Sequence, residues 1–195
     1  MSERDAQFES LLKRARGGDD EALGLLLDEF RPYLNLLARR AMDGRLAGRI
    51  DDSDVVQQTY LSAVRRFADF TGSGTTALAA WLQKIHERNL IDTARRHIES
   101  QRRSITSEAT HVEIEPIAEA ELTSPSQRLM RGEDAVRLAR AISQLPEDQA
   151  EAVRLRHLDG WSINDIAERM CRTRRAVIAL LHRGITNLRA VLSDD

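Results

Sequence analysis

Apolar residues recur at helical spacing along the first hundred positions. Leu11, Leu12 and Ala15 share one face of a helix that runs into Gly17-Gly18-Asp19-Asp20. That turn predicts a following helix capped by Asp19 or Asp20 and carrying Ala22, Leu23, Leu26, Leu27 and Phe30 inward. Pro32 opens a third helix where its missing N–H costs nothing, with Leu34, Leu37, Ala38 and Ala41 along it and a stop near Gly44 or Gly48. Asp52-Ser53-Asp54 signals a fourth, bearing Val55, Val56, Tyr60, Leu61, Val64 and Phe67. Two glycines among hydroxyl residues, Thr71 to Thr76, predict a loop. A long helix is then expected from about Ala77 to about His97, its apolar face being Leu78, Trp81, Leu82 and Ile85.

Periodicity fades over residues 104–127, which contain Pro116, Pro125 and an acidic cluster, so a mobile linker is expected there. It separates a domain at 1–103 from one at 128–195. In the second domain, a helix near Gly132 to Gln144 carries Val136, Ala139 and Ile142. Leu145-Pro146-Glu147-Asp148 starts another, with Pro at its first position and acids suited to the helix dipole, ending at Gly160 as a left-handed cap. Ser162-Ile163-Asn164-Asp165 resembles a capping box on a short helix with Ile163, Ile166, Ala167 and Met170. Cys171-Arg172 forms a turn, and Thr173 caps a last helix running to about Leu192. Short helix, tight turn and longer helix together predict a helix-turn-helix.

Composition narrows the class. Ala, Leu, Arg and Glu dominate, aromatics are only 4%, and strand-type runs are almost absent, so the fold class expected is all-α. A single cysteine, Cys171, excludes an internal disulfide framework. No apolar stretch approaches the roughly 20 residues of a membrane span, and MSERDAQFES lacks a signal peptide's apolar core. A cytoplasmic protein without membrane insertion is expected. The formal net charge of −2 hides an uneven distribution: Ser104 to Ser124 holds five Glu and no Lys or Arg, whereas Cys171 to Ala190 holds five Arg and no acid. Local basic patches, not the total, decide nucleic-acid binding.

On the last helix, a wheel at about 100° per residue puts Val177, Leu181, Leu188 and Val191 toward the core and Arg175, Ala179, His182, Arg183 and Thr186 opposite. Arg172, Arg174 and Arg175 surround its N-terminal end, and Ala179 leaves room for a close backbone approach to DNA. Arginine is the side chain best shaped for bidentate contact with guanine or phosphate. A solvated, Arg-rich helix face is the plain alternative.

These pieces resemble, in order and spacing, the extracytoplasmic-function sigma factors of bacterial RNA polymerase. Leu11 to Ala22, LLKRARGGDDEA, looks like their opening helices, and Ser53 to Leu61, SDVVQQTYL, is similar to the segment that docks on the polymerase β′ clamp. Trp81 to Arg96, WLQKIHERNLIDTARR, resembles the promoter-melting and minus-10-reading region, and Leu145 to Leu188 resembles the minus-35-reading domain. The resemblance implies core-polymerase binding through Asp54, Gln57, Gln58 and Leu61. It implies minus-10 DNA binding through Gly72, Ser73, Gly74, Thr75, Lys84, Arg88, Asn89, Asp92, Arg95 and Arg96. Minus-35 DNA would be met by Arg172, Thr173, Arg174, Arg175, Ala179, His182 and Arg183. The implied partners are core polymerase (β′ clamp and β flap), promoter DNA and an anti-sigma factor, with no metal, cofactor or catalytic residue.

Residue chemistry leaves alternatives beside some of these roles. Lys84, Arg88, Asp92 and Arg95 form a polar stripe able to track a single strand's phosphates. Asn89 falls instead on the line of Trp81 and Ile85, where a buried amide is at least as good an account. Trp81 suits a core better than a stacking platform, and Asp92 can simply pair with Arg95 or Arg96. The chain also departs from the family pattern. Ile178 and Leu180 stand where basic residues are common, Cys171 where a turn glycine is usual, and Arg175 where a small residue is common. Fewer phosphate contacts would lower salt sensitivity, and leave Ile178 and Leu180 to pack on another helix or partner.

Two rivals remain at this level. A stand-alone helix-turn-helix regulator explains residues 132–192 equally well but gives no reason for SDVVQQTYL or the basic stripe. An enzyme is more distant: His86, His97, His111, His157 and His182 show no metal-ligand spacing, and Gly72-Ser73-Gly74 lacks the rest of a phosphate loop.

Overall fold

The computed structural model describes residues 3–42, 52–105 and 132–193, and all regular structure within them is helical, as expected. The chain divides into two compact units, Met1–Ser124 with Arg131–Glu133, and Pro125–Met130 with Asp134–Asp195.

In the first unit α1 spans Glu3–Arg16 and α2 Asp20–Asp28. The turn between them closes with the Gly18 N–H on the Ala15 carbonyl and the Asp19 N–H on the Arg14 carbonyl, while Gly18 adopts φ +88°. This is a Schellman ending, which places the residue after the cap in the left-handed region. Asp19 then caps α2 by accepting from the Ala22 N–H at 2.9 Å. Every inward residue expected of α2 is buried, and Phe8 of α1 meets Phe30 edge to face with ring centroids 6.2 Å apart. Helix α3 (Arg31–Met42) buries Leu34 and Ala38 as its apolar pattern suggested, but Tyr33 and Leu36 are buried in place of Leu37 and Ala41, which are half-buried. The stop expected near Gly44 or Gly48 lies outside the described residues. Helix α4 (Asp52–Arg66) buries Val55, Val56, Thr59 and Ala63 but exposes Leu61 and Val64. A short 3₁₀ turn, Phe67–Asp69, follows.

Helix α5, Gly74–Ile105, is longer than expected at both ends. Gly74, Thr75 and Thr76 are wound into its first turn, not into the preceding loop, because first-turn N–H groups need no intrahelical partner and tolerate such residues. At the other end no Gly or Pro between His97 and Ile105 stops it. Of the linker expected over 104–127, Ser104 and Ile105 belong to this helix, and the rest lies outside the described residues.

The second unit contains α6 (Glu133–Ser143), α7 (Glu147–Val153), α8 (Ile163–Arg169) and α9 (Arg174–Ser193). Pro146 precedes α7 as its N-cap, with φ −53° and ψ 141°, and its carbonyl receives the first helical bonds from Gln149 and Ala150. It is therefore one position earlier than the first helical residue expected of it. Helix α7 runs on into one π-helical turn, Arg154–Leu158, which no apolar period announces. Leu155, Ile166, Ala167 and Val177 make a buried cluster, flanked by Trp161, Ile163, Met170 and Leu181.

Candidate polymerase and nucleic-acid interfaces

Helix α4 is two-faced: Val55, Val56, Thr59 and Ala63 turn inward while Asp54, Gln57, Leu61 and Val64 fall at spacings of three, four and three on the outside. Leu61 is 47% exposed and Val64 51%, while Gln58 is half-buried at the edge of this strip. Tyr60 is held beside it. Its hydroxyl donates to the Leu27 carbonyl at 2.9 Å, and the Arg31 guanidinium lies 4.8 Å from its ring centroid. Burial pushes the Tyr60 phenol up to about 12, against the pull of Arg31 and with the help of Asp28.

The inner side of α4 meets α5 through a polar seam, of which the sequence foretold the buried Asn89 amide but not the parts played by Thr59 and His86. The Thr59 hydroxyl donates to the Val55 carbonyl at 2.8 Å, leaving its oxygen to accept from His86 Nδ1 at 3.1 Å. Nδ1 is thereby the protonated ring nitrogen. His86 Nε2 is buried with no hydrogen-bond partner, and desolvation holds the imidazole down at about 4. Asn89 sits in the same seam, its amide donating to Ser62 at 3.3 Å and to Thr59 at 3.4 Å. The sequence clue was that Asn89 falls on the line of Trp81 and Ile85, not on the charged stripe; His86 was not singled out.

The outer side of α5 presents Lys84, Arg88, Asp92, Arg95 and Arg96, all exposed. Ile91, 49% exposed, lies among them and was not singled out from the sequence. Arg96 donates to the Asp92 carbonyl at 3.2 Å and to the Thr93 hydroxyl at 3.1 Å, so it binds the backbone of Asp92, not its carboxylate. Trp81 is half-buried, packed 5.3 Å from the Phe70 ring and 6.3 Å from Phe67.

The loop before α5 is tied down more firmly than its glycines suggested. Arg16 donates to the Gly72 carbonyl, and its guanidinium lies 5.7 Å from the Phe70 ring centroid. A Cβ at residue 72 would stand 2.8 Å from Phe70 Cε2 and 2.9 Å from Ala77 Cβ. Ser73 is exposed, whereas Gly72, Gly74 and Thr75 are half-buried.

In the second unit, three local devices position α9. Ser162 and Asp165 close a capping box on α8, as expected: the Ser162 hydroxyl accepts from the Asp165 N–H at 3.2 Å, and Asp165 accepts from the Ser162 N–H at 3.3 Å. Helix α8 then ends as α1 does, with the Cys171 N–H on the Glu168 carbonyl and the Arg172 N–H on the Ala167 carbonyl. Here, however, a cysteine holds the left-handed position, at φ +51°. Thr173 caps α9 by accepting from the Ala176 N–H at 3.2 Å. Arg172 pairs with Asp148 at 2.9 Å, each about half exposed. In the π-helical turn after α7, the Arg154 guanidinium is buried and bonded to Glu151 at 2.9 Å and Asp159 at 2.6 Å.

Helix α9 is rotated slightly from its wheel. Val177 and Leu188 are buried as expected, but Leu180 and Gly184 join them while Leu181 and Val191 are only half-buried. Leu180 therefore packs inside its own unit, and Ile178 alone of that pair is left outside, 52% exposed. Arg174, Arg175, Ala179, His182 and Arg183 are all exposed. Among the described residues no helix is long and apolar enough to cross a membrane, and no group of His, Cys, Asp or Glu is placed to hold a metal ion.

Comparison with known proteins bears on both units at once. The family model for the ECF sigma factor matches residues 5–192. The ECF RNA polymerase sigma factor BldN of Streptomyces coelicolor is 30% identical over 190 residues, covering 97% of this chain and 67% of that protein. The RNA polymerase sigma-H factor of Pseudomonas aeruginosa is 31% identical over 167 residues, covering 83% of this chain and 81% of that one. Among solved structures, the sigma factor RpoE in complex with the anti-sigma factor NepR from Bartonella quintana is 25% identical, covering 83% of this chain and 94% of its own, with a TM-score of 0.35. A match running through both units leaves no place for a stand-alone regulator built on the second unit only. The chain belongs to the extracytoplasmic-function sigma factors of RNA polymerase.

Proposed function

We propose that the first unit docks on the β′ clamp of core polymerase through Asp54, Gln57, Gln58 and Leu61 and holds the melted minus-10 strand. The second unit reads the minus-35 duplex through a helix-turn-helix, α8 and α9, beside the β flap. The observation that carries this reading is the lengthwise division of α5: Leu78, Leu82, Ile85 and Ala94 are buried, while Lys84, Arg88, Arg95 and Arg96 are exposed. Such a helix offers cations to a strand's phosphates while its other side is anchored. Ser73 and Thr75 stand beside the strand's path. Gly72 and Gly74 act through backbone shape, and Asn89 acts by locking α4 to α5 from within. Asp92 limits the stripe's net charge.

On α9, Arg174, Arg175, His182 and Arg183 supply donors, Ala179 allows close approach, and Arg172 and Thr173 set the turn that aims the helix. The chain is not an enzyme: it supplies recognition and strand capture in the cytoplasm, and bond formation belongs to the polymerase. It needs no metal or cofactor. An anti-sigma factor competes for the exposed α4 strip, where Leu61 and Val64 lie uncovered.

Replacing Lys84 and Arg88 together with Ala tests the reading. Core binding should persist while permanganate reactivity of the promoter bubble falls several-fold, with a shallower salt dependence. An unchanged bubble would remove α5 from strand capture.

A further inference from the structure

One isoleucine of α9, Ile178, lies exposed on the cationic side of the helix. Ile178 is 52% exposed and sits one turn from Arg174, Arg175 and His182, each exposed, with exposed Ala179 beside it. The buried residues of the helix, Val177, Leu180, Gly184 and Leu188, lie on other sides. No acidic residue occurs anywhere in α9, so the surroundings of Ile178 attract phosphate and repel cationic partners. A lone exposed isoleucine is common on protein surfaces; one beside two exposed arginines and no acid, on the second helix of a helix-turn-helix, is more specific.

We infer that Ile178 reads the 5-methyl group of a thymine in the major groove of the minus-35 duplex, setting a T·A preference at one position. This rests on the DNA-facing role proposed above for α9. An isoleucine side chain has no donor or acceptor, so it can satisfy neither a phosphate nor the polar edge of a base. The thymine methyl is the one apolar feature that the major-groove edge of a base pair presents. Its β-branch holds χ1 in one strongly preferred rotamer on a helix, so little freedom is lost on contact. Ala179 next to it lets the backbone come near enough for a short side chain to reach. The arginines on either side anchor the helix to the strands but cannot themselves detect a methyl group.

The test uses the full chain assembled with core RNA polymerase. Promoters are first selected from a duplex library randomised upstream of the start site. Each selected promoter is then remade with deoxyuridine in place of thymine, one position at a time on either strand. Uracil keeps every hydrogen-bonding group and lacks only the methyl. One upstream position is expected to lose about fourfold in transcription, the worth of burying one such group. Ile178→Ala should abolish that difference while preserving the response at other positions, and Ile178→Val should retain part of it.

The inference is overturned if no upstream thymine responds to loss of its methyl, or if Ile178→Ala still distinguishes the two bases. It is also overturned if that variant loses core polymerase in gel filtration while keeping the discrimination, since Ile178 would then contact protein. Promoter-selective transcription without any methyl effect sinks only this inference. Absence of any upstream preference removes the DNA-reading role of α9, and the inference with it.

Discussion

Gly184 of α9 crosses Val153 of α7 so closely that a Cβ at residue 184 would stand 2.7 Å from the valine Cγ2. Val153 is buried and β-branched, so it cannot swing aside. Gly184→Ala gains helix propensity of nearly 1 kcal/mol but overpacks a full interior at about 1–3 kcal/mol. The net expectation is a lower urea midpoint for the second unit. In a Val153→Ala background the same change should become neutral or stabilising, because the obstructing methyl is gone.

Two helices of this chain end in the same Schellman motif, one with Gly18 and one with Cys171 in the left-handed position. A side chain there meets the following carbonyl, at a cost of roughly 1–2 kcal/mol. Cys171→Gly is expected to stabilise the second unit by about 1 kcal/mol, visible as a rise in its thermal midpoint. An unchanged or lower midpoint would mean that the backbone is not strained at this turn.

How far the fold could be foreseen differs by element. The apolar face of α2 and the caps at Asp19, Ser162 and Thr173 were all legible, because each depends on neighbours within about one helical turn. What escaped depends on distant partners. Leu180 and Gly184 belong to the face that α7 covers, and an apolar wheel cannot register a glycine as core. The polar seam of Thr59, His86 and Asn89 joins residues up to 30 apart in sequence, so only folding brings them together. Buried Arg154 escaped for another reason: its partners Glu151 and Asp159 are local, but no apolar period announces that a charged residue of the π-helical turn is buried.

His86 gives the first unit a defined pH response. Its folded value, about 4, lies below the ordinary 6.5, so the unfolded chain takes up a proton first as pH falls. The stabilisation is fully present above about pH 6.5 and is lost progressively as pH falls toward 4, at up to about 1.4 kcal/mol per pH unit. Urea titrations between pH 7 and 4 should show a shallower decline for His86→Gln than for the wild type. Parallel declines would show that carboxylates alone govern acid stability.

Arg154 neutralises two acids, and Asp159 is itself only 8% exposed. Arg154→Ala is expected to destabilise the second unit by about 3–5 kcal/mol, since it breaks a buried ion pair and takes the guanidinium away from the buried Asp159 carboxylate. Adding Asp159→Asn should restore part of the loss, which a double-mutant cycle in urea would reveal.

The central claim is that this chain recruits core polymerase to promoters, and gel filtration with purified bacterial core enzyme, followed by transcription from a genomic DNA library, tests it most directly. The account predicts co-elution with core and transcripts that start at a shared promoter motif. Failure to bind core, together with tight binding of the chain alone to duplex DNA, would contradict it.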